Sequence, residues 1–193
     1  MKGLIFIPDI TGFTHFVKNN DAELGALIIQ DLLISIINSN PLNMNVSEIE
    51  GDAILFYKIG APHQLTELVK AFVEMQYAFK FKYDYYKTKY NLHADLSLKL
   101  IVHYGDIIVY DIRGFKKLYG EAIIEAHRLL KNGSTAQDYI LVTEEYMRAL
   151  KVKISEVLIH DHSQPNSMQF FQKIKNVAYH FCSDEKKHLV FQT

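Results

Sequence analysis

The sequence predicts an α+β fold with helices packed on one face of a largely antiparallel sheet. Three observations predict it. The apolar pattern changes period along the chain in the order strand, helix, hairpin, helix, hairpin, helix, strand. The strands come in pairs with turn residues between them, which favours antiparallel neighbours. Amphipathic helical stretches separate those pairs, and each must bury its apolar stripe against a sheet. No Pro-, Gly- or Ser-rich linker and no internal repeat divides the 193 residues, so a single domain over residues 1–193 is expected.

Leu4 to Ile7 is a short apolar run that Pro8 is expected to end, as in a buried strand. Thr14 is placed to cap a helix whose apolar face includes Phe16, Leu24, Leu27, Ile28, Leu32 and Ile36. Asn38-Ser39-Asn40-Pro41 stops that helix. Asn45 to Ile49 and Ala53 to Tyr57 read as a hairpin turning at Glu50-Gly51-Asp52. Pro62 opens a longer helix carrying Leu65, Leu68, Val69, Phe72, Val73 and Phe79. Leu96 to His103 and Ile107 to Asp111 read as a second hairpin turning at Tyr104-Gly105-Asp106. A helix from about Glu121 to Leu130 and a short strand from Tyr139 to Val142 follow. Ser155 to Thr193 alternates as strands do, with no pairing readable.

Hydrophobic residues make up 49% and charged residues 22%, ordinary values for a globular protein. The formal net charge of -1 speaks against a nucleic-acid binder. Cys182 is the only cysteine, so no intrachain disulfide forms and a reducing compartment is expected. The N-terminal apolar run is too short for a secretory signal, and no stretch approaches the ~20 apolar residues of a membrane span. A cytoplasmic protein with no membrane partner is the expectation.

The chemistry gathers around two aspartates. Asp9-Ile10-Thr11-Gly12-Phe13-Thr14 leaves a strand and enters a helix. Gly12 permits close backbone approach, and a helix start offers free N–H groups and a positive dipole end suited to phosphate. A carboxylate beside a phosphate is repelled by it unless a hard cation takes oxygens from both. Asp52 sits at the turn of the neighbouring hairpin, so both carboxylates reach one point if the two strands are adjacent. The competing structural readings are a cap for Asp9 and an ordinary turn for Asp52.

These residues resemble a known family. Asp9 to Thr14 resembles the first metal-binding motif of class III adenylate and guanylate cyclases. Glu48-Ile49-Glu50-Gly51-Asp52-Ala53 resembles the second, and His103-Tyr104-Gly105 resembles the family's His-x-Gly strand end. Gly120 to Leu129 resembles the segment carrying the family's asparagine and arginine. The similarity runs over a core of about residues 3–145, with the C-terminal strands at about 155–193 outside it.

The resemblance implies a ferredoxin-like sheet and a head-to-tail homodimer with active sites at its interface. It implies two metals, Mg or Mn, held by Asp9, Asp52 and the carbonyl of Ile10. Gly12, Phe13 and Thr14 would cradle the triphosphate of GTP or ATP, and Arg128 would contact phosphate from the second subunit. Glu48 and Lys117 fall at the base-reading positions. A carboxylate at Glu48 accepts from guanine N1–H and N2–H, which tilts the base toward guanine.

The chain also departs from the family. Ile124 stands where the family has its transition-state asparagine, and Lys117 suits neither purine in the usual way. Arg113, Lys116 and Lys117 form a short basic segment, read as a solvated loop or a phosphate contact. Lys173 and Lys175 are candidates for the family's late phosphate lysine. His160 and His162 make a His-x-His pair with no third ligand in register. The functions in competition are a slow metal-dependent cyclase, a catalytically inactive nucleotide-binding or dimerisation module, and a different two-metal phosphotransferase or hydrolase.

Overall fold

Strand β1 (Lys2–Thr11) organises the sheet, because it is paired along both edges. The computed structural model describes residues 1–131, 139–151, 169–170, 178–182 and 188–192. Pro8 does not end β1 as expected. Every residue from Lys2 to Thr11 pairs with β4 (Ser97–Asp106), while pairing with β3 (Ala53–Ile59) runs from Gly3 to Phe6 and resumes at Asp9. The proline therefore falls where a missing N–H costs no ladder bond.

Two helices follow β1 rather than one. The first, α1 (Phe13–Lys18), is short, and α2 (Ala22–Asn38) restarts at Asp21, whose side chain accepts from the N–H groups of Glu23 and Leu24. Strand β2 (Asn45–Glu50) forms the expected hairpin with β3. Helix α3 (Leu65–Tyr90) begins after Pro62, at a capping box between Gln64 and Glu67. The series β1, α2, β2, β3, α3, β4 with sheet order β2-β3-β1-β4 is the ferredoxin-like arrangement.

Alternation along β1 divides the core between the two faces. Leu4, Phe6 and Ile10 pack with Ile28, Leu32, Leu68, Phe72 and Met75 of α2 and α3. Ile5 and Ile7 face the other way, against Ala122, Ala126 and Leu129 of α4 (Glu121–Lys131). The ferredoxin-like layer of α2 and α3 is thus joined by α4 on the opposite face. Gly105 makes that approach possible, since a Cβ there would lie 2.8 Å from the Ala122 Cβ. His103 is buried beside it, with Nδ1 2.9 Å from the Thr143 hydroxyl. The His-Tyr-Gly strand end is therefore a packing feature.

The second expected hairpin is corrected. Strand β4 continues to Asp106, and β5 (Ile108–Ile112) pairs with β6 (Phe115–Tyr119) in a separate two-stranded sheet. Arg113 and Gly114, both at positive φ, make its tight turn. The basic segment is thus largely strand. Beyond α4, β7 (Tyr139–Thr143) runs parallel to β4, and α5 (Glu144–Ala149), which the sequence reading missed, follows it. Strands β8 (Gln169–Phe170), β9 (Ala178–Cys182) and β10 (His188–Gln192) extend the main sheet as β7-β10-β9-β8. His160, His162, Lys173 and Lys175 lie outside the described residues. Among the described residues, no helix is long and apolar enough to cross a membrane.

Candidate functional site

The chain leaves β1 through Gly12, at φ +89, and a Cβ there would lie 2.4 Å from the Asp95 carbonyl oxygen. Both the backbone angle and the space require glycine. Gly12 is the N-cap of α1 and no side chain caps that helix, so Thr14 lies inside α1 rather than capping it. With six residues, α1 has a small dipole.

Two contacts tie the β2–β3 turn to the end of β1. The Ile10 N–H donates to the Asp52 carbonyl at 3.1 Å. The Phe13 ring lies against the turn, 3.9 Å from where a Gly51 Cβ would be. Asp9 is in register with Ala53, next to Asp52, and the Asp9 and Asp52 carboxyl groups interact directly. Burial, and then the Asp9 carboxylate beside it, push the Asp52 carboxyl from 3.8 up to about 6. Asp9 itself is only 8% exposed.

Lys99 completes this group, and the sequence reading missed it. It stands opposite Asp9 on β4, with Nζ 2.7 Å from Asp9 Oδ2. Burial alone would lower the ammonium, but the hydrogen bond and charge of Asp9 hold it above its ordinary value. Only the register of β1 on β4 brings the two together, and no local pattern encodes that register. Thr11, two residues beyond Asp9 and on the same face of β1, has a buried hydroxyl without a hydrogen-bond partner among the described residues.

A second group lies nearer α4. Glu48 on β2 bonds Lys117 of β6 and His127 of α4. His127 was not foreseen from the sequence. Arg128 pairs with Glu125 on its own helix, and Ile124 is 71% exposed one turn earlier. The residues singled out by the sequence thus form two clusters. Asp9, Ile10, Asp52, Gly12, Phe13 and Thr14 gather at the end of β1. Glu48 and Lys117 meet each other, with Arg128 and Ile124 on the outer face of α4.

Residues 29–139 match the model of a family described as "Protein of unknown function (DUF2652)". A comparison with curated proteins finds no match. Among solved structures, the chain resembles the adenylyl cyclase CyaB from P. aeruginosa at TM-score 0.65 and 16% identity, covering 99% of this chain and 92% of that one. It resembles the guanylyl cyclase Cya2 at TM-score 0.62 and 14% identity, covering 99% and 90%. It also resembles a class III adenylyl cyclase-like ATP-binding protein from Pseudomonas aeruginosa at TM-score 0.58 and 12% identity, covering 77% of this chain and 34% of that one. At these identities the likeness establishes the fold: a divergent class III cyclase-type domain.

Proposed function

The chain belongs to the family described as a protein of unknown function (DUF2652), and from its cyclase-type fold we propose that it binds a purine nucleoside triphosphate with divalent metal between two copies of itself, forming a cyclic nucleotide slowly. The meeting of the Asp9 and Asp52 carboxyls beside the Gly12 turn carries this reading. Two carboxylates this close favour a bound cation or a proton, and Lys99 supplies one positive charge against two negative ones. The available donors, two carboxylates and the Ile10 carbonyl, are hard oxygens that suit Mg²⁺ or Mn²⁺. The orphaned Thr11 hydroxyl adds a polar group that an oxygen-rich ligand would satisfy. Among the described residues no cluster of three His, Cys, Asp or Glu completes an all-protein cage, so the remaining oxygens come from phosphate and water.

Two bound ions would supply Lewis acidity for the attacking 3′-hydroxyl and the departing pyrophosphate. The protein's part is positional. Asp9 and Asp52 would hold the cations, and the backbone of Gly12, Phe13 and Thr14 would present N–H groups to phosphate oxygens. Lys99, which pairs with Asp9, would stand as a further cation beside the triphosphate. Glu48 and Lys117 face the purine. Arg128, on the exposed face of α4, is available to the nucleotide held by a second copy.

Exposed apolar side chains support the second copy as partner. Ile108, Tyr110, Ile112, Phe115 and Tyr119 on the β5–β6 ribbon, with Ile49 and Ile124, are all exposed. Apolar residues concentrated in this way mark an interaction surface. A second reading, an inactive nucleotide-binding module, is favoured by Ile124 alone, which offers the ribose no hydrogen bond.

Incubation with GTP or ATP and Mn²⁺, followed by mass spectrometry, tests the reading. Cyclic nucleotide should form in the wild type and vanish in Asp52→Ala. Product from Asp52→Ala at wild-type rate would sink the metal assignment. Binding of Mn²⁺ and nucleotide by calorimetry without any product selects the inactive module.

A further inference from the structure

Three elements bring charged side chains to one point on the α4 face. Glu48 stands at the bulge in β2, opposite Leu55, and meets Lys117 from β6 and His127 from α4. Lys117 Nζ donates to Glu48 Oε2, and His127 Nε2–H donates to Oε1 at 3.2 Å. The Glu48 side chain is only 19% exposed. Ala126 and Leu129 are buried on either side of His127, so its ring is carried by a firmly seated helix.

A carboxylate offers two oxygens and about four lone-pair positions. One partner on each oxygen uses two and leaves one free on each. What remains is a pair of adjacent acceptors next to an ammonium donor. Guanine presents the complement: an acceptor at O6, then donors at N1–H and N2–H. Hypoxanthine lacks the N2 donor, and adenine offers a donor at N6 with an acceptor at N1. Guanine therefore satisfies three groups of this cluster. Hypoxanthine satisfies two, and adenine satisfies two only with donor and acceptor reversed.

Resting on the triphosphate-binding reading above, we propose that His127 is a positioning residue for base selection. Together with Lys117 it fixes the plane of the Glu48 carboxylate, so that Lys117 donates to O6 while Glu48 accepts from N1–H and N2–H. Without His127, the Oε1 side of the carboxylate is free to rotate and the two-acceptor pattern is lost. A side-chain rotation of this kind leaves the metal pair at the end of β1 untouched.

The test is calorimetric binding of non-cleavable GTP, ITP and ATP analogues in Mn²⁺ to the wild type, His127→Ala, His127→Gln and Lys117→Met. The wild type should prefer GTP over ITP by about tenfold, the effect of one charge-assisted hydrogen bond, and bind ATP most weakly. His127→Ala should shrink the GTP-over-ITP preference to within about twofold with Mn²⁺ affinity unchanged, and His127→Gln, which keeps a donor, should restore it. Lys117→Met should weaken GTP and ITP alike, since both carry O6. Full selectivity in His127→Ala, with circular dichroism unchanged, overturns the proposal, as does equal wild-type affinity for GTP and ATP. If no triphosphate binds the wild type, the triphosphate reading itself falls and the cluster falls with it. Binding without base preference overturns the cluster alone.

Discussion

Lys99 and Asp9 stand directly opposite each other on β4 and β1, with Lys99 Nζ 2.7 Å from Asp9 Oδ2. Their side chains are 19% and 11% exposed, so water screens the pair poorly. Among the described residues Lys99 is the cation that offsets Asp9, and Asp52 faces a carboxylate it cannot neutralise.

Replacing Lys99 with Met should therefore leave the buried Asp9 and the half-buried Asp52 without that counter-charge. The loss should be about 2–3 kcal/mol, less than for a fully buried pair. Mn²⁺ should recover part of it, giving a larger metal-induced rise in Tm than in the wild type. Denaturant titrations with and without Mn²⁺ measure both. A variant as stable as the wild type in chelator would show that the pair contributes nothing net.

Asp52 makes the protein sensitive to pH. Its folded carboxyl lies at about 6 against an ordinary 3.8, so the native state holds a proton that the unfolded chain releases between those values. The stabilising contribution is complete below about pH 4 and is lost as pH rises through about 6. Urea midpoints in chelator should fall over that window. Asp52→Asn should flatten the fall, and a midpoint rising with pH in the wild type alone would contradict this assignment.

Gly12→Ala should be among the most damaging small substitutions. It forces a side chain onto φ +89 and brings a Cβ within 2.4 Å of the Asp95 carbonyl. Backbone strain and overpacking together should cost roughly 2–5 kcal/mol. Thermal melts check the stability, and loss of triphosphate binding at low temperature checks the turn. A Tm within a degree or two of wild type would mean that the turn relaxes freely.

Ile124→Asn tests whether the remaining machinery is competent. Ile124 is 71% exposed, so the change should leave stability within about 0.5 kcal/mol. A missing transition-state contact commonly costs about 10²–10³ in rate, so restoring a hydrogen-bonding group should raise cyclic nucleotide formation by tenfold or more. Single-turnover assays with GTP and Mn²⁺ give the comparison. An unchanged rate would place the defect elsewhere, with Arg128, held by Glu125, the next residue to examine.

The carboxylate pair was legible in the sequence because its context is local. Gly12 follows Asp9 by three residues, and Gly51-Asp52 interrupts a period-two pattern, so each announces a turn by itself. The β2–β3 hairpin and α4 were read correctly for the same reason. The β5–β6 ribbon was not, because Tyr104-Gly105-Asp106 carries turn-like residues whose glycine in fact makes room for Ala122. Pro8 misled in the same way. A proline ends a strand only where its missing N–H was needed, and that depends on which neighbour lies on that side.

The sequence by itself determined most of the elements and the two turns that bear Asp9 and Asp52, since these follow from spacing within a few residues; the ferredoxin-like sheet was an expectation from the family resemblance. Only the tertiary structure decided what stands opposite what. Lys99 meets Asp9 across a register that spans 90 residues of chain, and His127 meets Glu48 across a gap of 79. Such partners are set by strand pairing and helix packing, which bury charge against charge from distant segments, and no local pattern of residues records them.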